Sequence, residues 1–328
     1  KEIAGSQSKS EAGVNNNRSK KNEPLVGSEF ALDTAITVML YDSENQEILD
    51  GALALCRKYE KLFSTTLSES ELYKLNHRTA QTVEVDSELA YVIERGLYYS
   101  KLSKGAFDIT IEPVKGLWDF KAENPGLPED KELASALNKV GYESVEVDQA
   151  EITFKNPDTR IDLGAIAKGY IADRIADFLK AEKVTSALIN LGGNVLTFGP
   201  ALHNPDHKWR IGIQNPKETR NTNLMVLAIR DKSVVTSGIY ERTFEIDGKT
   251  YHHIFDSQTG YPVSSDLASL TIISSLSVDG EIWTTRLFGS SLEHIFQEVS
   301  SQAELEAIIV DKDNHCFQTG GIYKMRIS

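Results

Sequence analysis

Apolar and polar positions alternate in two distinct rhythms along this chain, and the switches between them outline its elements. Residues 30–41 are rich in Thr, Ile and Val and read as a strand. Residues 46–62 change to helical spacing, with Ile48, Leu49, Ala52, Leu55, Cys56 and Tyr59 forming one apolar stripe. After a turn at 63–66, Ser68-x-x-Glu71 has the capping-box pattern and predicts a short helix running to Leu75. A second long helix is expected over 87–102, and 105–110 reads as a turn into a strand. A polar loop at 121–128, a helix at 129–138 and a hairpin of 144–147 with 152–154 follow.

Residues 160–164 lead into a helix expected from Ala165 to about Lys183, and strands at 187–190 and 195–198 flank Gly192-Gly193. Asp247-Gly248 sits between two alternating stretches, the strongest short-range hairpin signal. A strand at 268–275, a helix pair over 279–299 and three terminal strands ending at Ile327 complete the pattern. Hairpins interrupted by helices, without regular βα alternation, predict an α+β fold. No internal repeat or linker divides the body, so residues 29–328 are read as one large domain.

Residues 1–28 break the pattern. They are rich in Ser, Asn, Lys and Gly and nearly free of apolar side chains, the composition of a disordered tether. The chain has 35 Lys and Arg against 48 Asp and Glu, a formal charge of −13. The tether carries five cations and three carboxylates, so the body stands at −15. That balance argues against a nucleic-acid surface and means that an anionic substrate needs local cations or a metal. Cys56 and Cys316 are far apart without metal-ligand spacing, and Cys56 lies in the apolar helical stripe.

Three stretches carry candidate chemistry. The Asp247-Gly248 hairpin ends in His252, His253, Asp256, Thr259 and Gly260, a polar cluster that is either a site or an ordinary hairpin rim. Strand alternation sets His252 facing away from His253, as scaffold. The segment 161–173 places Gly164 before a helix N-terminus, whose free amides attract anions, with Lys168 one turn in. Its alternative is an amphipathic helix capped by Asp162, with Lys168 solvated and without a partner at i+3 or i+4. At 279–285, Asp279 is the expected cap, and Glu281 and Thr285 share one face, suited to a hard cation such as Mg²⁺ or simply an acidic first turn. No P-loop, nucleophile elbow or G-x-G-x-x-G motif is present.

Seven ordered stretches resemble the ApbE family of FAD:protein FMN transferases. They are F-A-L-D-T from Phe30, F-S-T-T-L-S-E-S-E-L-Y-K-L-N from Phe63, G-A-F-D-I-T from Gly105, and D-L-G-A-I-A-K-G-Y from Asp162. N-L-G-G-N from Asn190, T-S-G-x-Y-E-R from Thr236 and H-H-I-F-D-S-Q-T-G-Y-P from His252 follow. The resemblance implies a T-fold-like α+β domain of mixed or antiparallel sheets with packed helices. It implies binding of FAD and Mg²⁺ and transfer of FMN to a Thr hydroxyl of an acceptor protein, with release of AMP.

By that resemblance Ala106, Phe107, Asp108, Asp162, Lys168 and Ile254 line the FAD site. Ala165, through its carbonyl, Glu281 and Thr285 hold the metal; His253 is the base, and Asp256 orients it or helps hold metal or substrate. Three stretches depart from the family: Leu32-Asp33 replaces Met-Gly, Glu281 replaces Asp, and Thr66 stands where an aromatic residue is common, so that stacking on the flavin is either weaker or comes from Phe107. Asp279 is the alternative metal ligand. The expected setting is extracytoplasmic, on a lipoprotein anchor preceding the tether. An FAD pyrophosphatase and a non-enzymatic FAD-binding lipoprotein are the competing readings.

Overall fold

A computed structural model describes residues 23–219, 222–240 and 242–327. Residues 1–22 of the expected tether lie outside that set; the remainder of it does not stay polar coil, because β1 (Leu25–Ala31) already begins at Leu25. The stretch expected as one strand is therefore a hairpin, with β1 antiparallel to β2 (Thr34–Leu40). Its turn is Leu32-Asp33, both at positive φ (54° and 61°), a conformation that glycine adopts at no steric cost. Glu60 accepts the Leu32 amide at 2.8 Å and steadies this turn.

Helix α1 (Gln46–Phe63) buries Leu49, Ala52, Cys56 and Tyr59 as its stripe predicts. The expected capping box does not form: α2 (Glu71–Asn76) starts at Ser70, and Glu71 instead accepts the Asp86 amide. Strand β3 (Thr82–Glu84) was not foreseen, whereas α3 (Ser87–Leu102), capped by Asp86, matches its expected bounds. Residues 105–110 form turns rather than a strand and lead into α4 (Glu112–Lys115) and α5 (Asp130–Leu137). The hairpin β4 (Val145–Asp148) and β5 (Glu151–Phe154) pairs with β3.

Helix α6 (Ala167–Ala181) is followed by β6 (Ala187–Leu191) and β7 (Asn194–Phe198), joined through Gly192 and Gly193, both at positive φ. Strands β8 (Trp209–Gln214), β9 (Asn223–Ile229) and β10 (Ser233–Gly238) precede the predicted hairpin, β11 (Thr243–Ile246) and β12 (Lys249–His252). Then come β13 (Leu267–Ser274), α7 (Ser277–Leu287), α8 (Leu292–Ser300), β14 (Glu306–Asp311) and β15 (Cys316–Gln318). The last element is not a third terminal strand but α9 (Ile322–Met325).

Eight strands form one sheet in the order β1-β2-β6-β7-β10-β13-β14-β15, antiparallel at every described pairing. One face packs on α1, α6 and α7, with Ile36, Ile189, Leu196, Ile171, Ile175 and Ile282 in a shared core. The opposite face, including Ile273 and Ile308, is covered by the β8–β9 hairpin and by α9. The strand registers bring the Leu32-Asp33 turn, the Gly192-Gly193 turn and the end of β10 to one end of this sheet. The β11–β12 hairpin stands apart on its own aromatic cluster.

Candidate active site

The N-terminal approach to α6 is shaped by Asp162. Its amide donates to the Ile109 carbonyl at 2.8 Å, binding the 105–110 turns to this segment. One carboxylate oxygen accepts the Gly164 amide at 2.9 Å, so Asp162 caps a turn rather than the helix itself. The other accepts Lys115 Nζ at 2.6 Å. Burial pushes this carboxyl up, but Lys115 and the Gly164 amide together hold it below the usual range. Lys115 was invisible as a site residue in the sequence, being 47 positions away and in no motif.

Lys168 also has a partner, although none within its own helix. Its Nζ lies 2.5 Å from Glu281 Oε1, while Glu281 Oε2 accepts the Gly169 amide at 2.5 Å. Glu281 is 4% exposed, a carboxylate taken out of water only because both oxygens are engaged. Gly169 makes this approach possible: a Cβ there would lie 2.6 Å from the Ser277 carbonyl oxygen. Because the Gly169 amide turns to Glu281 and not to the carbonyl four residues back, Ala165 has no helical donor on its oxygen. Thr285, one turn beyond Glu281, donates to the Glu281 carbonyl at 3.2 Å. A carbonyl, a carboxylate and a hydroxyl form an all-oxygen donor set, and their chemistry fits Mg²⁺.

Asp279, the alternative ligand, is engaged elsewhere: its carboxylate pairs with Arg95. Nor does it cap α7. That role falls to Asp173 on α6, which accepts the Ser277 and Val278 amides at 2.8 and 3.0 Å. Burial pushes Asp173 up to about 6 against the opposing pull of these two amides. The cap comes from over a hundred positions away in the chain, so no local pattern reveals it.

On the other side, β12 ends at His252 and the chain turns inward. His252 accepts the Ile254 amide on Nδ1 and faces the Val263 carbonyl with Nε2 at 3.2 Å, which fixes it as neutral scaffold. His253 carries no such pairing on Nδ1, which is buried without a hydrogen-bond partner. Burial, then the Arg242 charge and His252, lower its pKa to about 4, opposed by the Arg242 backbone. Lys168 is a further cause of that depression, which ties the imidazole electrostatically to the α6 side. A buried nitrogen with no partner is what an incoming hydroxyl would satisfy.

Asp256 organises the turn after His253. Its Oδ1 accepts the Gln258 and Thr259 amides at 2.7 and 3.2 Å, and no described hydrogen bond joins it to His253. Ser257 donates to the Gly105 carbonyl, clasping this turn to the 105–108 segment. Of that segment only Ala106 is exposed. The Phe107 ring is packed in the main core rather than presented for flavin stacking. Asp108 spends its carboxylate on Thr110 and the Tyr142 amide, shaping the loop from within. Ile254 is buried against Leu267, Leu270 and Trp283. Trp118 supports the whole arm, stacking near Phe244 and Tyr251 and donating its indole N–H to the Gly260 carbonyl at 3.0 Å.

Asp33, in the first hairpin turn, gathers Lys121 Nζ at 2.5 Å and Arg242 Nη2 at 3.4 Å. With the Lys115–Asp162 and Lys168–Glu281 pairs, four cations face three carboxylates and leave one positive charge over. These features are those of an α+β enzyme site: an imidazole whose Nδ1 has no partner among the described residues, a set of paired cations, and oxygen donors that could hold a hard cation.

The ApbE family model matches residues 32–309. An FAD:protein FMN transferase of Klebsiella pneumoniae is 35% identical over 285 residues, covering 86% of this chain and 87% of that protein. One of Treponema pallidum is 31% identical over 313 residues, covering 90% and 86%. The crystal structure of an ApbE protein from Thermotoga maritima superposes with a TM-score of 0.85 at 27% identity, over 93% of this chain and all of that one. The chain belongs to the ApbE family.

Proposed function

We propose that this protein is a Mg²⁺-dependent FAD:protein FMN transferase, moving FMN from FAD to a Thr hydroxyl of an acceptor protein. The observation that carries the reading is His253, whose buried Nδ1 has no partner among the described residues and whose imidazole feels the charge of Lys168, the partner of Glu281. The relatives' shared activity supplies the substrate and the acceptor class.

In this reaction the acceptor oxygen attacks the FMN phosphorus, a new O–P bond forms, and the P–O–P bond breaks. AMP leaves with the electron pair, and the hydroxyl proton passes to His253. With a depressed pKa of about 4, His253 is neutral near pH 7 and is in the state that accepts a proton. The fixed Asp162–Lys115 and Asp33–Lys121–Arg242 pairs hold cations beside the anionic diphosphate, where one surplus charge does not neutralise it. Mg²⁺ held by Glu281, Thr285 and the Ala165 carbonyl would supply the remaining charge stabilisation. Ala106, Phe107, Asp108, Asp162, Lys168 and Ile254 form the FAD side in this scheme, with Phe107 and Asp108 acting through loop shape. Asp256 holds the turn that follows the base.

The test is to incubate the protein with FAD, Mg²⁺ and an acceptor carrying a candidate Thr, and to weigh the acceptor and assay AMP. A gain of one FMN mass with equimolar AMP supports transfer; AMP and free FMN without an adduct support a hydrolase. His253→Ala is expected to lose transfer at least a hundredfold, the lower range for a general base, while still binding FAD. Unchanged transfer removes His253 from this role. The polar composition of residues 1–28 supports an extracytoplasmic protein on a lipid anchor. Palmitate labelling of the natural precursor in cells tests that placement, and an unlabelled precursor overturns it.

A further inference from the structure

The Glu281 carboxylate has two unlike oxygens. Oε2 is fixed to a backbone amide, Gly169 N–H, at the close crossing of α6 and α7. Oε1 faces an ammonium on a flexible stem, Lys168 Nζ, whose other contact is a long one to the Gly164 carbonyl at 3.4 Å. The Lys168 side chain is 28% exposed and that of Glu281 5%. One oxygen is therefore anchored in rigid structure, and the other is held by a group that is free to leave.

We infer that Lys168 is the stand-in cation of this site and that it and the divalent metal compete for Glu281 Oε1. Metal arriving at Oε1 releases Lys168, and the freed ammonium turns to the FAD diphosphate. The anchored Oε2 keeps the carboxylate in place during the exchange, so α7 does not move. Without metal, the lysine is spent on its own protein and contributes little to nucleotide binding. By thermodynamic reciprocity, whatever frees Lys168 tightens FAD binding, whether that is a metal or the loss of the Glu281 charge. The inference rests on the proposed assignment of Glu281 to the cation and of Lys168 to the FAD side.

Two variants separate this exchange from a simple division of labour, with binding as the readout. FAD affinity is measured by flavin fluorescence in EDTA, and Mg²⁺ affinity by calorimetry with no nucleotide present. Glu281→Gln, which removes the carboxylate charge, is expected to bind FAD in EDTA a few-fold to about tenfold more tightly than wild type, the range for a partly exposed ion pair. Lys168→Met is expected to bind Mg²⁺ alone more tightly by a similar factor, while Lys168→Arg, which keeps the competing charge, stays near wild type. Glu281→Gln binding FAD in EDTA no better than wild type overturns the exchange, as does unchanged Mg²⁺ affinity in Lys168→Met. A wild-type protein that binds no FAD under either condition overturns the site assignment itself and the inference with it.

Discussion

Gly169→Ala tests whether the α6–α7 crossing sets the geometry of the site. The new methyl would lie 2.6 Å from both the Ser277 oxygen and the Val278 Cα, backbone atoms that cannot rotate aside. Ordinary contact begins at 3.4 Å, so the helices must part by about 0.8 Å, the difference of the two distances. Overpacking of this kind costs about 1–3 kcal/mol. At roughly 2–4 °C per kcal/mol for a large domain, a 2 kcal/mol loss lowers the melting temperature by about 4–8 °C. The same displacement stretches the Gly169 amide bond to Glu281, now 2.5 Å, to about 3.3 Å, beyond good hydrogen-bond range. Thermal melts and the Mg²⁺ dependence of transfer are the assays, with Gly126→Ala as control because nothing lies within 4 Å of its added methyl. A melting temperature within about a degree of wild type, with an unaltered half-saturating Mg²⁺ concentration, would refute the reasoning.

Two further outcomes are expected. Asp173 has a folded pKa raised to about 6 from 3.8, so the folded state binds its proton more tightly than the unfolded chain. The stability of wild type relative to Asp173→Asn is therefore expected to increase as pH falls from 7 towards 4, read by denaturant unfolding; a flat or opposite trend contradicts the burial argument. Trp118→Phe keeps an aromatic ring but leaves the Gly260 carbonyl without its indole donor, at a local cost of about 1–3 kcal/mol. It is expected to lower the melting temperature by about 2–12 °C while leaving Mg²⁺ half-saturation unchanged, and an unchanged melting temperature would contradict the supporting role of this indole.

What the sequence reveals here depends on how local the cause is. Helix α3 follows from its own stripe and from Asp86 beside it, and the Asp247-Gly248 turn follows from two residues, both found at positive φ. The Leu32-Asp33 turn gave no warning, because a leucine at φ 54° contradicts turn statistics and is steadied by Glu60, 28 positions away. The capping box at Ser68 was a valid pattern, but Glu71 found a better use holding the Asp86 amide. At the site, the resemblance singled out His253, Asp162, Lys168 and Glu281 as candidates. Their partners Lys115, Gly169 and Arg242, and the Asp173 cap of α7, are set by tertiary contacts between segments distant in the chain.

The β11–β12 arm rests on the Trp118 aromatic cluster, whereas α6 and α7 rest on the large sheet core, and the two apolar clusters share no residue. The two meet at Ile254, which is buried in one cluster with Trp283 and Leu287 of α7. The apolar footing of the histidine-bearing arm can therefore be repacked without altering that of α6 and α7, provided Ile254 is kept.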